Sequence, residues 1–176
     1  NSWKVDEGNN DNNHFTIELF ENKYCWIFEK IEKLFEKFNI SEALKLTYGL
    51  IWDDFCSIYL EAIKPEYGKG IDKATHEKTV ELFENLIKIL HPFMPFVTEE
   101  IYSHLKDRKT NDNIITSSMP KIQVADKNLL MTEEVLRIIV TNIRNIRTQN
   151  NISPRELLSL YINCKSKEDH FRSMEY

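Results

Sequence analysis

The sequence has few of the residues that interrupt helices. Its 176 residues include only four glycines and five prolines, while leucine, isoleucine, lysine and glutamate are common, a balance that favours helix over sheet. The hydrophobic fraction of 41% is that of a globular protein. This length suffices for one domain, or for one domain and part of a second. We therefore expect a mostly helical globular fold.

Cysteine is also scarce, and its pattern excludes two kinds of site. Cys25, Cys56 and Cys164 are odd in number and far apart, and no Cys-x-x-Cys pair occurs. A disulfide framework or a zinc ribbon needs paired, regular spacing. We predict neither of these, nor any other metal site, and we expect a reducing compartment, the cytoplasm.

The sequence also lacks targeting segments and an excess of basic residues. No signal peptide and no apolar run long enough to cross a bilayer is visible, so no membrane partner is expected. The net charge of −5 argues against a non-specific nucleic-acid coat and against DNA binding, because such binding depends on neutralising phosphates. Since the chain starts at Asn1 and stops at Tyr176, we interpret it as a piece of a longer protein.

Apolar residues recur at helical spacing along most of the chain. The third predicted helix is apolar on two sides, which is typical of a central helix in a bundle. The first predicted helix carries a stripe of apolar residues that we expect in the core: Phe20, Tyr24, Ile27, Phe28, Ile31, Leu34, Phe35 and Phe38. Ser41 is the predicted N-cap of the second helix and Thr132 that of the last. Pro92 and Pro95 predict a corner that turns Phe93, Met94 and Phe96 into a core, because each proline restricts the residue before it. The predicted helices cover residues 15–38, 41–65, 73–90, 95–106 and 132–149.

The second predicted helix carries adjacent carboxylates, Asp53 and Asp54, with Tyr59 at the margin of their face and Ile58 on the apolar face. Neighbouring residues on a helix diverge by roughly 100°, so two such carboxylates do not converge on one metal ion or one bond. No Glu-x-x-His segment accompanies them to complete a metal site of the bundle type. We expect no catalytic residue in this chain.

Arginines are concentrated late in the last predicted helix, where Arg137, Arg144 and Arg147 share a broad basic face. These side chains could bind phosphates, or could suit the helix C-terminus and pair with neighbouring acids. The apolar run Leu157–Ile162 then predicts a short strand. We divide the chain into a helical bundle, residues 1–122, and the beginning of an α/β subdomain, residues 123–176, made of helix, strand and a truncated helix.

Three stretches, in this order, resemble the helical anticodon-binding domain of class I aminoacyl-tRNA synthetases, and those for valine best. They read WDDFCSIYLE at 52–61, followed by Lys64-Pro65; LHPFMPFVTEE at 90–100; and NIRNIR at 142–147, followed by NISP at 151–154. Two positions depart from the family: Tyr102 stands where tryptophan is usual, and Ser118-Met119-Pro120 lacks the tryptophan usual before that proline.

The resemblance implies an up-and-down helical bundle with the start of a small α/β extension, whose opening helix lies upstream. It also implies that the domain holds the anticodon stem-loop of tRNA(Val) and contacts the catalytic domain of the same chain. The parent enzyme would attach valine to tRNA using ATP and magnesium. The family's ATP-binding signatures, His-Ile-Gly-His and Lys-Met-Ser-Lys-Ser, do not occur here, so we expect the piece itself to be non-catalytic and without a cofactor.

Unpaired RNA bases are held on aromatic or guanidinium faces and read along their edges. The tRNA-binding candidates are Trp52, Tyr59, Lys64, Arg137, Arg144 and Arg147. Two alternatives remain open: a sister synthetase for isoleucine or leucine, and a structural or protein-interaction bundle without RNA contact, which the net acidity favours. If the candidate cations scatter among acids in the structure, the RNA interpretation weakens.

Overall fold

The computed structural model describes residues 4–6, 11–108, 112–153, 156–157 and 159–161. The chain divides into two units, residues 1–134 and 135–176, and each is described by itself. The domain boundary predicted at residues 122 and 123 stays a prediction.

The described residues are mainly helical, which confirms the predicted fold class. Two short strands pair in parallel, with Val5 opposite Ile71. No described helix has the length and hydropathy to cross a bilayer. In chain order the elements are β1 (Val5–Asp6), α1 (Asp11–Glu36), α2 (Ile40–Gly49), a π-helix (Leu50–Tyr59), α3 (Leu60–Ala62), β2 (Ile71–Asp72), α4 (Lys73–Leu90), α5 (Pro95–Leu105), a 3-10 turn (Ile114–Thr116) and α6 (Lys127–Gln149).

Three predicted helix starts were wrong. Helix α1 begins at Asp11, four residues before its predicted start. The second helix begins at Ile40 with Asn39 as N-cap, not Ser41, because Phe38 ends α1 with a positive φ of 56° and turns the chain early. The last helix begins five residues before Thr132, since Asp126 caps it. The Asp126 carboxylate accepts the backbone N–H of Asn128 at 2.7 Å, while its carbonyl accepts the N–H of Leu130 at 3.1 Å.

The strand predicted at Leu157–Ile162 is absent from the described part of that run. Leu157 and residues 159–161 are exposed and lie outside regular structure. A strand needs a hydrogen-bonded neighbour, and the described residues form strands only at β1 and β2. The other positions of the run, and the truncated helix predicted after it, lie outside the described residues.

The core of the first unit forms where α1, the α2–π segment and α4 pack together. The predicted apolar stripe of α1 is confirmed as core from Phe20 to Ile31, and Leu34 and Phe35 pack against that core while partly buried. Phe38 is 87% exposed, so its predicted place in the stripe was wrong. Helix α4 is buried on two sides, as predicted for a central helix: Leu82 and Leu86 join the main core, and Ile87 packs with Tyr102 and Ile114. The buried part of the stripe consists of Phe20, Tyr24, Ile27, Phe28 and Ile31.

The corner between α4 and α5 is only partly buried. The Phe93 ring lies 5.6 Å from that of Phe35, as expected, but Phe96 is 90% exposed and Met94 is half-exposed, so their predicted burial was wrong. Thr98 fills the corner instead: its hydroxyl donates to the Met94 carbonyl at 2.8 Å. The ring nitrogen Nδ1 of His91 then donates to that hydroxyl at 2.7 Å, which makes His91 a structural residue.

A ten-residue π-helix, which the apolar pattern does not predict, changes which side chains of the second helix are buried. The backbone N–H of Leu60 donates to the carbonyl of Phe55, five residues back, and side chains therefore return to one face more slowly than in an α-helix. Leu50, Asp54 and Tyr59 consequently face the core, whereas Ile58 is exposed, the reverse of the predicted placement of Asp54, Tyr59 and Ile58.

The start of α4 depends on Asp72, whose buried carboxylate accepts the backbone N–H of Thr75 at 2.8 Å and the amide of Asn13 at 3.3 Å. We expect Asp72→Ala to lower the free energy of unfolding by about 1–2 kcal/mol, because the N-cap and the link to α1 are both lost. Chemical denaturation followed by circular dichroism measures this. Asp72→Asn keeps an acceptor oxygen and should lose clearly less; equal losses would contradict the capping role.

Candidate nucleic-acid interface

Two aromatic rings form an exposed pair where α2 continues into the π-helix. The rings of Tyr48 and Trp52 lie 6.3 Å apart between centroids and are inclined by only 18°. Tyr48 is 59% exposed and Trp52 57%. We call this ring pair the aromatic platform. Trp52 was a predicted candidate, but Tyr48 was missed; its signal in the sequence was the four-residue spacing from Trp52, which places both side chains on one helix face.

The charged groups next to the aromatic platform do not form a basic patch. Lys45, three residues before Tyr48, is paired with Glu42 at 3.2 Å. Asp53, next to Trp52, is exposed and makes no hydrogen bond or ion pair within the described part of the chain. Any ligand of the rings would therefore be held by contact with the rings rather than by positive charge.

Lys64, another predicted candidate, follows the end of the same helix. Its ammonium lies 3.2 Å from the Glu61 carboxylate, and both side chains are more than half exposed. An exposed pair of this kind is weak, so Lys64 could leave Glu61 for a phosphate at little cost.

Tyr59 does not present a ring to a base, which corrects its predicted place at the margin of the outer face. It is only 1% exposed, and its ring packs against those of Phe20 at 4.8 Å and Phe55 at 5.3 Å. The Thr79 hydroxyl donates to the Thr75 carbonyl, so the Tyr59 hydroxyl donates to Thr79 at 2.9 Å. Burial raises the pKa of Tyr59. We remove Tyr59 from the candidate interface.

The predicted arginines lie in the second unit and differ in their surroundings. The Arg147 guanidinium donates to the carbonyls of Ser153 at 2.6 Å and Glu156 at 2.9 Å, and so holds the chain that follows α6. Arg137 is half-buried and has an interaction partner. Arg144 is exposed, and its guanidinium has no partner among the described residues. Of the three, Arg144 is the one best placed to meet a phosphate.

The described residues contain no group of three or more metal-ligating side chains. Asp53 is exposed and Asp54 buried, so these adjacent carboxylates point away from each other, as predicted. Within the described residues, the geometry therefore offers aromatic faces and a free guanidinium, which suit contacts with an RNA loop.

A comparison with protein families shows the family to which the chain belongs. The family model described as the anticodon-binding domain of tRNA ligase matches residues 20–162. The chain belongs to this family. The predicted resemblance is thereby confirmed, and both rings of the aromatic platform lie within the matched part of this anticodon-binding domain.

Curated relatives carry the name valine–tRNA ligase. The relative from Phocaeicola vulgatus is 44% identical over 146 residues, which cover 82% of this chain and 17% of the relative. The one from Parabacteroides distasonis is 38% identical over 162 residues, 91% of this chain and 19% of the relative. The one from Geobacillus stearothermophilus is 34% identical over 150 residues, which cover 82% of this chain and 17% of the relative. The anticodon-binding domain thus spans less than a fifth of the length of these relatives.

Proposed function

We propose that this anticodon-binding domain holds the anticodon stem-loop of tRNA(Val) as part of a valine–tRNA ligase. The observation that carries the proposal is the family match over residues 20–162, together with relatives of that name at 34–44% identity. In the longer enzyme, a catalytic domain of the same chain would join valine to the tRNA using ATP and magnesium. The expected location is the cytoplasm.

The geometry supports a role in positioning RNA. The central helix α4 and the stripe of α1 give the first unit a dense core, which can hold an exposed surface in a fixed place. The aromatic platform offers ring faces to an unpaired base, and Arg144 in the second unit offers an exposed guanidinium to a phosphate. Single-stranded loops are the RNA elements that proteins recognise with such groups.

A purely structural bundle is the second candidate. Its support is the pairing of exposed lysines with acids, seen at Lys45 with Glu42 and at Lys64 with Glu61, in a chain of net charge −5. Such a bundle would hold other parts of the ligase and would not contact the anticodon. An isoleucine- or leucine-type synthetase would bind a different anticodon loop.

The test is a titration of the 176-residue chain against a fluorescently labelled stem-loop with a valine anticodon, followed by anisotropy at low and moderate salt. We expect binding that weakens as salt rises, because phosphate contacts release counterions. A loop with the middle anticodon base changed, and loops with isoleucine and leucine anticodons, should bind less tightly.

The structural candidate predicts a different result. Equal binding to every loop would contradict recognition of the anticodon, and no binding at all would favour the bundle without RNA contact. Tighter binding to an isoleucine or leucine loop would instead assign the domain to that synthetase.

A further inference from the structure

We infer that the aromatic platform, Tyr48 and Trp52, is the binding site for one unpaired base of the RNA loop, which stacks on the exposed rings. This inference rests on the proposed function and deepens it, because it names the surface that takes the base and the force that holds it. Neither the family match nor the relatives assign this role to either residue.

The rings are presented by a helix whose other side is firmly anchored. Ala43, Thr47 and Leu50 on that side are no more than 1% exposed, and the Thr47 hydroxyl donates to the Ala43 carbonyl at 2.8 Å. The backbone that carries the rings therefore has little freedom to move away from a ligand. Two nearly parallel rings on one face then form a preorganised apolar surface for a flat partner.

The position of the rings coincides with the change in helix type. Tyr48 lies in the last turn of α2 and Trp52 in the first turn of the π-helix. Segments of π-helix occur frequently at functional sites, and a stretch of ten residues is unusually long. The change in helical pitch turns Tyr59 into the core and leaves Trp52 exposed to solvent.

The surrounding charges favour a base over a phosphate. One positive charge, on Lys45, and two negative charges, on Glu42 and the exposed Asp53, lie near the rings, so a phosphate would meet net negative charge. Bases, in contrast, stack on aromatic side chains without any need for local cations. The contribution of the rings should therefore be independent of salt, unlike that of Arg144.

A protein partner would be expected to cover more of this face. Ile40 and Leu44 precede Tyr48 at four-residue intervals and are 44% and 41% exposed, so a docking helix or loop would contact them together with the rings. A single base is too small to do so. A substitution of Leu44 therefore distinguishes binding of a single base from a broader apolar contact with a protein partner.

The experiment measures the affinity of the 176-residue chain for the labelled valine-type stem-loop after single substitutions. Loss of a base–aromatic stack weakens binding by about 5- to 150-fold, which we expect for Trp52→Leu and Tyr48→Leu, whereas Trp52→Phe should retain most of the affinity. The fold-change should be the same at both salt concentrations, since no charge is removed. All these positions are exposed, and thermal melts followed by circular dichroism check that the variants fold.

Two control variants match these changes. Tyr67→Leu removes a fully exposed tyrosine elsewhere in the first unit and should leave affinity unchanged. Leu44→Ala removes an apolar neighbour on the same helix face, and it too should leave affinity unchanged. A loss at Leu44 equal to that at Trp52 would show that the whole face meets the ligand and would overturn the stacking proposal.

A second readout identifies the base directly. The fluorescent analogue 2-aminopurine, placed in turn at each unpaired position of the loop, should be quenched on binding at one position, and that quenching should vanish with Trp52→Leu. If the unsubstituted chain prefers the valine loop but both ring variants bind equally well, the platform is overturned and the proposed function stands. If the unsubstituted chain binds no loop, both are overturned.

Discussion

Replacing Phe55 with alanine is expected to lower the free energy of unfolding by about 3–5 kcal/mol, the usual range for a buried phenylalanine. Phe55 is 3% exposed, and its ring lies within 6 Å of three other rings: Phe20 at 5.4 Å, Tyr59 at 5.3 Å and Phe83 at 5.8 Å. These rings come from α1, the π-helix and α4. A cavity at Phe55 therefore weakens the contact between all three elements at once.

Urea denaturation followed by circular dichroism measures this loss. Phe96→Ala is the matched control, because it removes the same side chain from a position that is 90% exposed, and its effect should be close to zero. Similar losses in the two variants, or a loss below about 1 kcal/mol at Phe55, would contradict the described core.

The second large effect is expected at Glu84, a nearly buried carboxylate on α4 that is surrounded by three cations. It lies 3.2 Å from the ammonium of Lys88, 2.8 Å from that of Lys106 and 3.1 Å from the guanidinium of Arg108. Arg108 also stacks at 3.3 Å on Tyr102 and donates to its carbonyl. Glu84 thus ties the chain beyond α5 back to the central helix.

Burial alone would raise the pKa of Glu84, but hydrogen bonds from Lys106 and Lys88 outweigh it and lower the pKa from 4.5 to about 2. A carboxyl whose pKa is lower in the folded state adds stability above its unfolded pKa, and this stability is lost as the pH falls toward the folded pKa. The shift corresponds to about 3 kcal/mol, fully present near pH 5 and lost progressively down to pH 2.

We therefore expect Glu84→Gln to be destabilised by about 3 kcal/mol at neutral pH, because three cations remain without their carboxylate. Between pH 5 and pH 2 the unsubstituted chain should lose stability more steeply than the variant. The measurement is urea denaturation at a series of pH values. Glu61→Gln, which breaks the exposed pair with Lys64, is the control and should change stability by less than about 1 kcal/mol. Parallel pH curves for the chain and Glu84→Gln would contradict the role of Glu84.

Much of the fold could be predicted because the apolar pattern of α1 and α4 repeats at the α-helical period. In α1 the predicted stripe is the observed core from Phe20 to Ile31, although Phe38 at its end is exposed, and in α4 apolar residues on two sides predicted a central helix. The prolines at 92 and 95 predicted the corner between α4 and α5, since their effect is purely local. The three motifs, finally, predicted the family that the comparison confirms.

The errors arose where a non-local contact or a neighbouring cap decided the outcome. Ser41 and Thr132 were suitable N-caps, but Phe38 and Asp126 set the helix starts earlier. Arg147 was assigned to a basic face because its bonds to the carbonyls of Ser153 and Glu156 depend on how the chain turns after α6. A side chain that bonds to the carbonyls of a following loop leaves no periodic pattern in the sequence.

The sequence by itself determined the helical class, the family and the adjacency of Tyr48 and Trp52, because helical periodicity, motif spelling and four-residue spacing are properties of the chain. Only the tertiary structure decided which aromatic residues face outward. An α-helical period places Tyr59 at the margin of the outer face. In the structure this segment packs against α1 and α4 as a π-helix, which turns Tyr59 into the core and leaves Trp52 exposed. The energy that selects this backbone comes from burying side chains against other helices.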